Sequence, residues 1–531
     1  MYEKGKLKLK KFYFHPITTF IVLTFFVLIL SGILSLFETQ AKYNVVNVNT
    51  NELEPVLIAV ENLLSFDGLK FVISEAAKNF LSFAPLGTLL LSLIGLTVAE
   101  GTGFIEMLTR RHISKIPRPI FTFIIILIAT ISSLINEVGY AILIPLVALI
   151  YFINERNPIL GIVTAFCGVS FGYGVSIFVG STEVSLINYT KIASTLIDEN
   201  MHISLTSNLI FIIVATIILS IVGTIIIEAI IAPKIGKYKR EEELSPTEKY
   251  QPISLEEAEQ QQIEKERNEK RGLRYALVVS ILFLLFFIYA LIPNLPWSGL
   301  LLDMKEKIYL NQLFGENSYF QDGFTYIVSM LFVIAGIAYG IGSKTVHNGR
   351  DIIEAASKKF NNIGSIFILM FVVSQFIAVY RKTNIGMVVT AWLASLLEKM
   401  SLSGIPLIVI ALLFIAISGL LLTSPASKWM IFSPVVVPLF MQSNISPQFA
   451  QLVMRVGDSM TKGFTPLLAS FVIYIGYLNI YNLNKSKPYT IRKSLKLITP
   501  YCLLISALWI LLIVGWYLIG LPIGPGVYPT I

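Results

Sequence analysis

Residues 137–177 read EVGYAILIPLVALIYFINERNPILGIVTAFCGVSFGYGVSI, and residues 426–466 read ASKWMIFSPVVVPLFMQSNISPQFAQLVMRVGDSMTKGFTP. Laid together without gaps, 289 positions apart, the two windows share seven identities. That number is modest, but the matching residues are mostly those that interrupt helices. Pro145 pairs with Pro434, Pro158 with Pro447, Gly168 with Gly457, and Gly174 with Gly463. Ser170 pairs with Ser459, and Tyr140 with Trp429 and Ser176 with Thr465 keep the same offset. Proline removes a backbone donor and glycine loosens the backbone, so each window describes apolar helices broken at corresponding places.

The surroundings of these windows are hydrophobic. The 531 residues are 55% hydrophobic and only 14% charged, with a mean hydropathy of +0.74. Soluble domains carry about 25% charged residues, so the chain reads as an all-α polytopic membrane protein. The net charge of +8 does not point to nucleic acid, because the basic residues fall in short loops between apolar spans. Cys167 and Cys502 lie in apolar segments, which argues against a structural disulfide. The four histidines form no metal-ligand pattern, and neither HExxH nor a Walker A sequence occurs, which argues against a metalloprotease or an ATP-driven pump. Residues 18–37 read as a retained first helix.

Loop charge gives a topology. The basic residues 1–11 place the N-terminus in the cytoplasm. Spans follow at about 14–37 and 80–100, separated by an external polar loop, 38–77. The stretch 119–153 breaks at Asn136-Glu137-Val138-Gly139. A carboxylate at membrane depth is costly, so 119–153 reads as a re-entrant hairpin with its tip near 134–139. A glycine-broken span over 158–187 and another at 207–232 complete a first half, 1–232. Residues 233–273 form a charged cytoplasmic linker, whose stretch SLEEAEQQQIEKERNEKRG suits a solvated helix with i,i+4 ion pairs. The second half, 274–531, repeats the plan upside down. It has spans at 274–294, 321–342, 363–397 (interrupted at Arg381–386), 449–478 and 498–519, and a second hairpin at 405–443. Loop 482–497 holds five basic residues, whereas its counterpart 193–208 has no Lys or Arg. Opposite charge in equivalent loops is what inverted repeats require. The count is nine transmembrane helices plus two re-entrant hairpins, with the C-terminus external.

Duplicated halves with broken helices are the pattern of a secondary transporter, whose exposed helix ends and carbonyls meet anions and cations near the midplane. Candidate ion-coupling residues are Glu137, Asp458 and Glu183. Candidate substrate-binding residues are Asn136, Ser176, Asn384, Ser424, Lys428, Trp429, Lys462 and Thr465. Alternatives stand beside several of these: Arg455, one turn from Asp458, offers a structural ion pair, the lysines offer snorkelling, Trp429 offers packing, and Glu183 offers a solvated helix end. Pro145, Gly168, Gly174, Pro434, Gly457 and Gly463 are read as helix-break residues.

The segments VENLLSFDGL (60–69), KNFLSFAPLG (78–87), RVGDS (455–459) and LPIGPGVYP (521–529) carry a specific likeness, as do Thr383-Asn-Ile-Gly386 and Ser403-Gly-Ile-Pro406. With these the chain resembles the p-aminobenzoyl-glutamate transporter (AbgT) family over almost its whole length, as a divergent member. The resemblance implies nine spans and two hairpins in a homodimer in the bacterial inner membrane. It implies no enzyme activity and no resident cofactor, but secondary transport of small organic anions such as p-aminobenzoyl-glutamate, coupled to a proton or Na+. The alternative it implies is export of sulfonamide-like antimetabolites. Asn384, Arg455, Asp458, Trp429 and Pro434 match the family's polar and hairpin positions. Asn136-Glu137 stands where Ser-Asp is usual, Ser176 replaces an asparagine, and Lys428 and Lys462 stand where small or apolar residues are expected. An ammonium beside Asp458 would take the place of a coupling cation, or the two lysines would bind a more acidic substrate. Rival readings are transport of another carboxylate, an intramembrane enzyme using Glu137 and Asp458 as acid and base, and a channel.

Overall fold

A computed structural model describes residues 14–47, 52–135, 137–238, 255–315, 317–360 and 363–531. Sixteen helices organise the account, in chain order: α1 (Pro16–Leu36), α2 (Ala84–Gly101), α3 (Arg118–Ile131), α4 (Val138–Ile153), α5 (Pro158–Phe171), α6 (Ser181–Thr195), α7 (Leu209–Ile226), α8 (Leu255–Ala290), α9 (Tyr319–Ser343), α10 (Gly364–Lys382), α11 (Ile385–Lys399), α12 (Gly404–Gly419), α13 (Pro425–Gln442), α14 (Pro447–Thr461), α15 (Phe471–Ile480) and α16 (Ile491–Ile519). Among the described residues, eight helical stretches are long and apolar enough to cross a membrane: α1, α2, α3 with its 3-10 extension, α7 with its extension to Ile235, α8, α9, α10 and α16.

The paired prolines explain the equivalent helix starts. Pro158 opens α5 behind Asn157, whose side chain accepts from the Ile159 amide at 3.0 Å. Pro447 opens α14 behind Ser446, which accepts from the Phe449 amide at 3.3 Å. In both, a polar cap satisfies an orphan donor and proline supplies the helical φ. Pro145 and Pro434 lie inside α4 and α13.

The limbs α3 and α4 run antiparallel. At their open end Thr122 Oγ1 is 3.3 Å from the Tyr151 hydroxyl, and the Phe121 and Tyr151 rings are 5.8 Å apart. At the tip, Gly139 lies so close to Ser132 that an added Cβ would overlap its hydroxyl. The α-helical parts of the limbs, 14 and 16 residues, reach about 21 and 24 Å at 1.5 Å per residue, and α3 attains 18 residues only with its 3-10 extension at the tip. Limbs α12 and α13 have 16 and 18 residues. Each tip is tied to the break in its own half. Ser133 Oγ donates to the Val175 carbonyl at 2.8 Å, and Thr465 Oγ1 donates to the Leu420 carbonyl at 2.8 Å.

The two breaks also cross each other, and the contact is reciprocal. A Cβ on Gly174 would meet Ser459 Oγ at 2.4 Å, and a Cβ on Gly463 would meet the Ser170 Cβ at 2.6 Å. These are the glycine and serine pairs of the 289-residue repeat, each half's glycine lying against the other half's serine.

Loops collect at two ends. At one, the 154–157 turn meets the segment after α7 and the end of α15: Asn157 donates to the Gly236 carbonyl at 3.0 Å, Arg156 pairs with Glu228 at 2.7 Å, and Phe152 contacts Tyr238 and Tyr481. At the other, the C-terminal segment packs on the first turn of α7 and on the turn after α13, through Phe211 N to Ile523 O at 3.0 Å and Ser446 N to Pro529 O at 2.8 Å.

The structure corrects the sequence reading of one segment. Residues 38–77 are not a plain loop. Strands β1 (Gln40–Asn47) and β2 (Glu52–Ala59) form an antiparallel hairpin, followed by short helices Phe66–Ser74 and Ala76–Leu81. The hairpin braces α11, with Trp392 Nε1 donating to the Gln40 carbonyl at 3.1 Å. The charged segment before the fifth span is itself helical, as its composition suggests. From Leu255 the charged segment and the following span form one 36-residue helix, α8. Its Glu-, Gln- and Lys-rich sequence favours helix throughout. Gly272, where the charged sequence gives way to the apolar span, lets α8 pack tightly on α9 at Gly342.

Candidate functional site

Six charged side chains converge where the breaks and tips meet. Arg455 and Asp458 on α14 and Lys462, the residue that caps its C-terminus, follow at i, i+3 and i+7 and so share a face. Lys428 lies in the first turn of α13, Glu183 in the first turn of α6, and Glu137 immediately before α4. Lys428 Nζ pairs with Asp458 Oδ1, and the Arg455 guanidinium pairs with Glu183. Lys462 Nζ is held between two carboxylates, 3.7 Å from Glu137 and 3.9 Å from Asp458, and 3.7 Å from the centre of the Tyr173 ring. Arg455 also donates to the Tyr173 carbonyl at 3.2 Å, in the break of the other half. Glu183 accepts from the Gly180 amide at 3.1 Å, at the positive end of α6. The Ser470 hydroxyl donates to Glu137 at 2.7 Å.

Five of the six are buried; Lys428 is 0% and Lys462 1% exposed. The Glu137 side chain is the exception at 35%. Three cations balance three carboxylates. The first half contributes only Glu137 and Glu183, whereas the second contributes all three cations and Asp458. Buried charges are tolerated when paired; here Arg455–Glu183 and Lys462–Glu137 run between halves, and the two contacts of Asp458 with Lys428 and Lys462 stay within the second.

The other anticipated residues separate into three groups. Trp429 is fully buried, and its Nε1 donates to Thr190 Oγ1 at 2.8 Å, anchoring α13 on α6. Ser424 caps α13 through the Ser427 amide at 3.3 Å, and Thr465 holds the Leu420 carbonyl. Ser176 is buried in the first break with no hydrogen-bond partner for its hydroxyl among the described residues, although its carbonyl accepts from Thr216 at 3.0 Å. Asn384 stands apart, in left-handed backbone (φ 59°) between α10 and α11. It lines a cavity of about 480 Å³ with Glu61, Asn79, Arg381, Lys382 and Ala469. Lys382 and Glu61 pair there at 2.8 Å. The cavity wall at Ala469 adjoins Ser470, the partner of Glu137. Asn136 lies outside the described residues.

Two alternatives are overturned. Asp458 takes Lys428 rather than Arg455 as its partner, because Arg455 reaches across to Glu183. Glu183 is 3% exposed, not a solvated helix end. Sequence reading missed Tyr173 and Ser470, which carry no signal of their own, and Glu61, which lies inside one of the distinctive segments.

A family model described as the AbgT putative transporter family matches residues 10–531. The chain belongs to this family. It is 28% identical over 517 residues to the p-aminobenzoyl-glutamate transport protein of Escherichia coli (strain K12), covering 97% of this chain and 94% of that one. Among solved structures it is similar to the Alcanivorax borkumensis YdaH transporter (26% identity, TM-score 0.47, 96% of this chain and 100% of that one). It is also similar to Neisseria gonorrhoeae MtrF, described as illuminating a class of antimetabolite efflux pumps (28% identity, TM-score 0.46, 97% and 98%). This AbgT-family chain is a multi-pass membrane transporter and not an enzyme.

Proposed function

We propose that this AbgT-family transporter moves a small organic anion by alternating access between two inverted halves, with p-aminobenzoyl-glutamate or a related folate fragment as the first candidate. The reciprocal crossing of the broken spans at Gly174–Ser459 and Gly463–Ser170 carries this reading. It makes one hub from two equivalent pieces, about which each hairpin and break would rock as a unit. Seven of the long apolar helices, with the broken spans α5–α6 and α14–α15, make nine spans beside two hairpins. Loop charge puts the 154–157 end in the cytoplasm, in a bacterial inner membrane. The protein acts as a homodimer, and an ion gradient drives it. The E. coli relative supports the substrate. The description of the Neisseria relative favours a second reading, export of antimetabolites.

Purified protein in sealed liposomes, present in both orientations, tests the proposal. Labelled p-aminobenzoyl-glutamate is expected to enter saturably under an imposed gradient, and an unlabelled sulfonamide to compete if the second reading also holds. Conductance without saturation would indicate a channel. No saturable movement under proton or sodium gradients would overturn the substrate assignment.

A further inference from the structure

The charges around Asp458 have a distribution that the repeat does not explain. At the 289-residue offset Lys428 corresponds to Gly139, Lys462 to Tyr173 and Asp458 to Val169. This carboxylate and both ammonium groups therefore belong to the second half alone. Gly419, at the tip of α12, leaves the space in which they meet, since a Cβ there would lie 2.7 Å from Thr461 Oγ1, 3.3 Å from Lys428 Nζ and 3.7 Å from Asp458 Oδ1. The setting is a buried carboxylate, a threonine hydroxyl and unwound backbone beside a broken helix, the environment in which secondary transporters hold a mobile cation. Lys428 brings a cation into it on a covalent arm.

We propose that Lys428 and Lys462 act as tethered cations at Asp458, replacing a mobile coupling cation there, so that the transport cycle does not require sodium. Lys428 neutralises Asp458 permanently. Lys462, nearly equidistant from Asp458 and Glu137, links that pair to the other half. A sodium ion entering this site would meet two positive charges within a few ångströms and only one fully buried carboxylate, so like-charge repulsion excludes it. The inference rests on the transport reading, but one of its tests does not.

Wild-type flux of p-aminobenzoyl-glutamate in liposomes is expected to change less than about twofold when sodium is replaced by potassium or choline. Lys428→Ala frees one side of Asp458. Its flux is expected to fall at least about tenfold, as breaking a buried pair demands, and to recover when sodium or methylammonium is supplied. Thermal unfolding in detergent supplies the substrate-free arm. Wild type should melt alike in sodium and potassium, whereas Lys428→Ala should be stabilised by sodium or methylammonium specifically. Sodium-dependent wild-type flux, or sodium-specific stabilisation of wild type, overturns the proposal, as does a Lys428→Ala protein indifferent to both cations. If Lys428→Ala does not fold, Lys462→Ala and wild type decide by the same melting comparison. Absence of flux in every ion with the melting pattern intact would instead count against the substrate.

Discussion

Asp458→Asn is expected to abolish transport and to lower stability by about 3–5 kcal/mol, the cost of leaving a buried charge without its partner. Lys428 has no exposed surface to retreat to, and Asp458 is its only acidic contact among the described residues. Lys462 fares better, because Glu137 remains within 3.7 Å. Thermal unfolding in detergent and liposome flux read the two effects separately. Adding Lys428→Met should restore much of the melting temperature, since removing both members of a buried pair is often nearly neutral. It should not restore flux. Recovery of flux in the double variant would show that the pair is structural only. An unchanged melting temperature in Asp458→Asn would show that the ion pair contributes nothing to the fold.

The second large effect is steric. Gly463→Ala and Gly174→Ala should each destabilise the protein by about 1–3 kcal/mol or more, as overpacking does, but they should differ in how they are rescued. At Gly463 the obstructing atoms are the Ser170 side chain, at 2.6 and 2.8 Å, so Ser170→Gly should recover most of the loss. The remaining deficit is the Tyr140 hydroxyl bond to Ser170, 3.0 Å long, worth about 1 kcal/mol. At Gly174 the added carbon meets Ser459 Oγ at 2.4 Å and also the Arg455 carbonyl at 2.7 Å. Ser459→Gly removes the first obstacle and leaves the second, which is backbone. Melting temperatures of the four single and double variants check this. Equal rescue at both sites would refute the crossing geometry.

The outlines of this architecture were readable because they are written in residues with local meaning. Pro158 and Pro447 start helices wherever they occur after a polar cap, and the chain around Glu137 breaks because a carboxylate there interrupts an apolar run. The partners were not readable. Glu183 and Arg455 are far apart in sequence, and nothing local distinguishes the neighbour Arg455 could have chosen, Asp458, from the one it has. Tyr173 and Ser470 enter the site only through the crossing of two breaks. The β hairpin was missed although Tyr43, Val45 and Val46 favour strand, because its polar residues read equally well as an external loop. That α8 continues from the charged segment into the span follows from a helix propensity that does not change where the composition does, near Gly272.

The division of charge between the halves also sets an order of events during synthesis. Glu183 leaves the ribosome 272 residues before Arg455, which is about 14–54 s at 5–20 residues per second. Glu137 waits longer still for Lys462. Throughout that interval the first half holds two site carboxylates and none of the cations that will neutralise them. Until the second half arrives those carboxylates must stay hydrated or take up protons, so the completion of the first half depends on the last third of the chain.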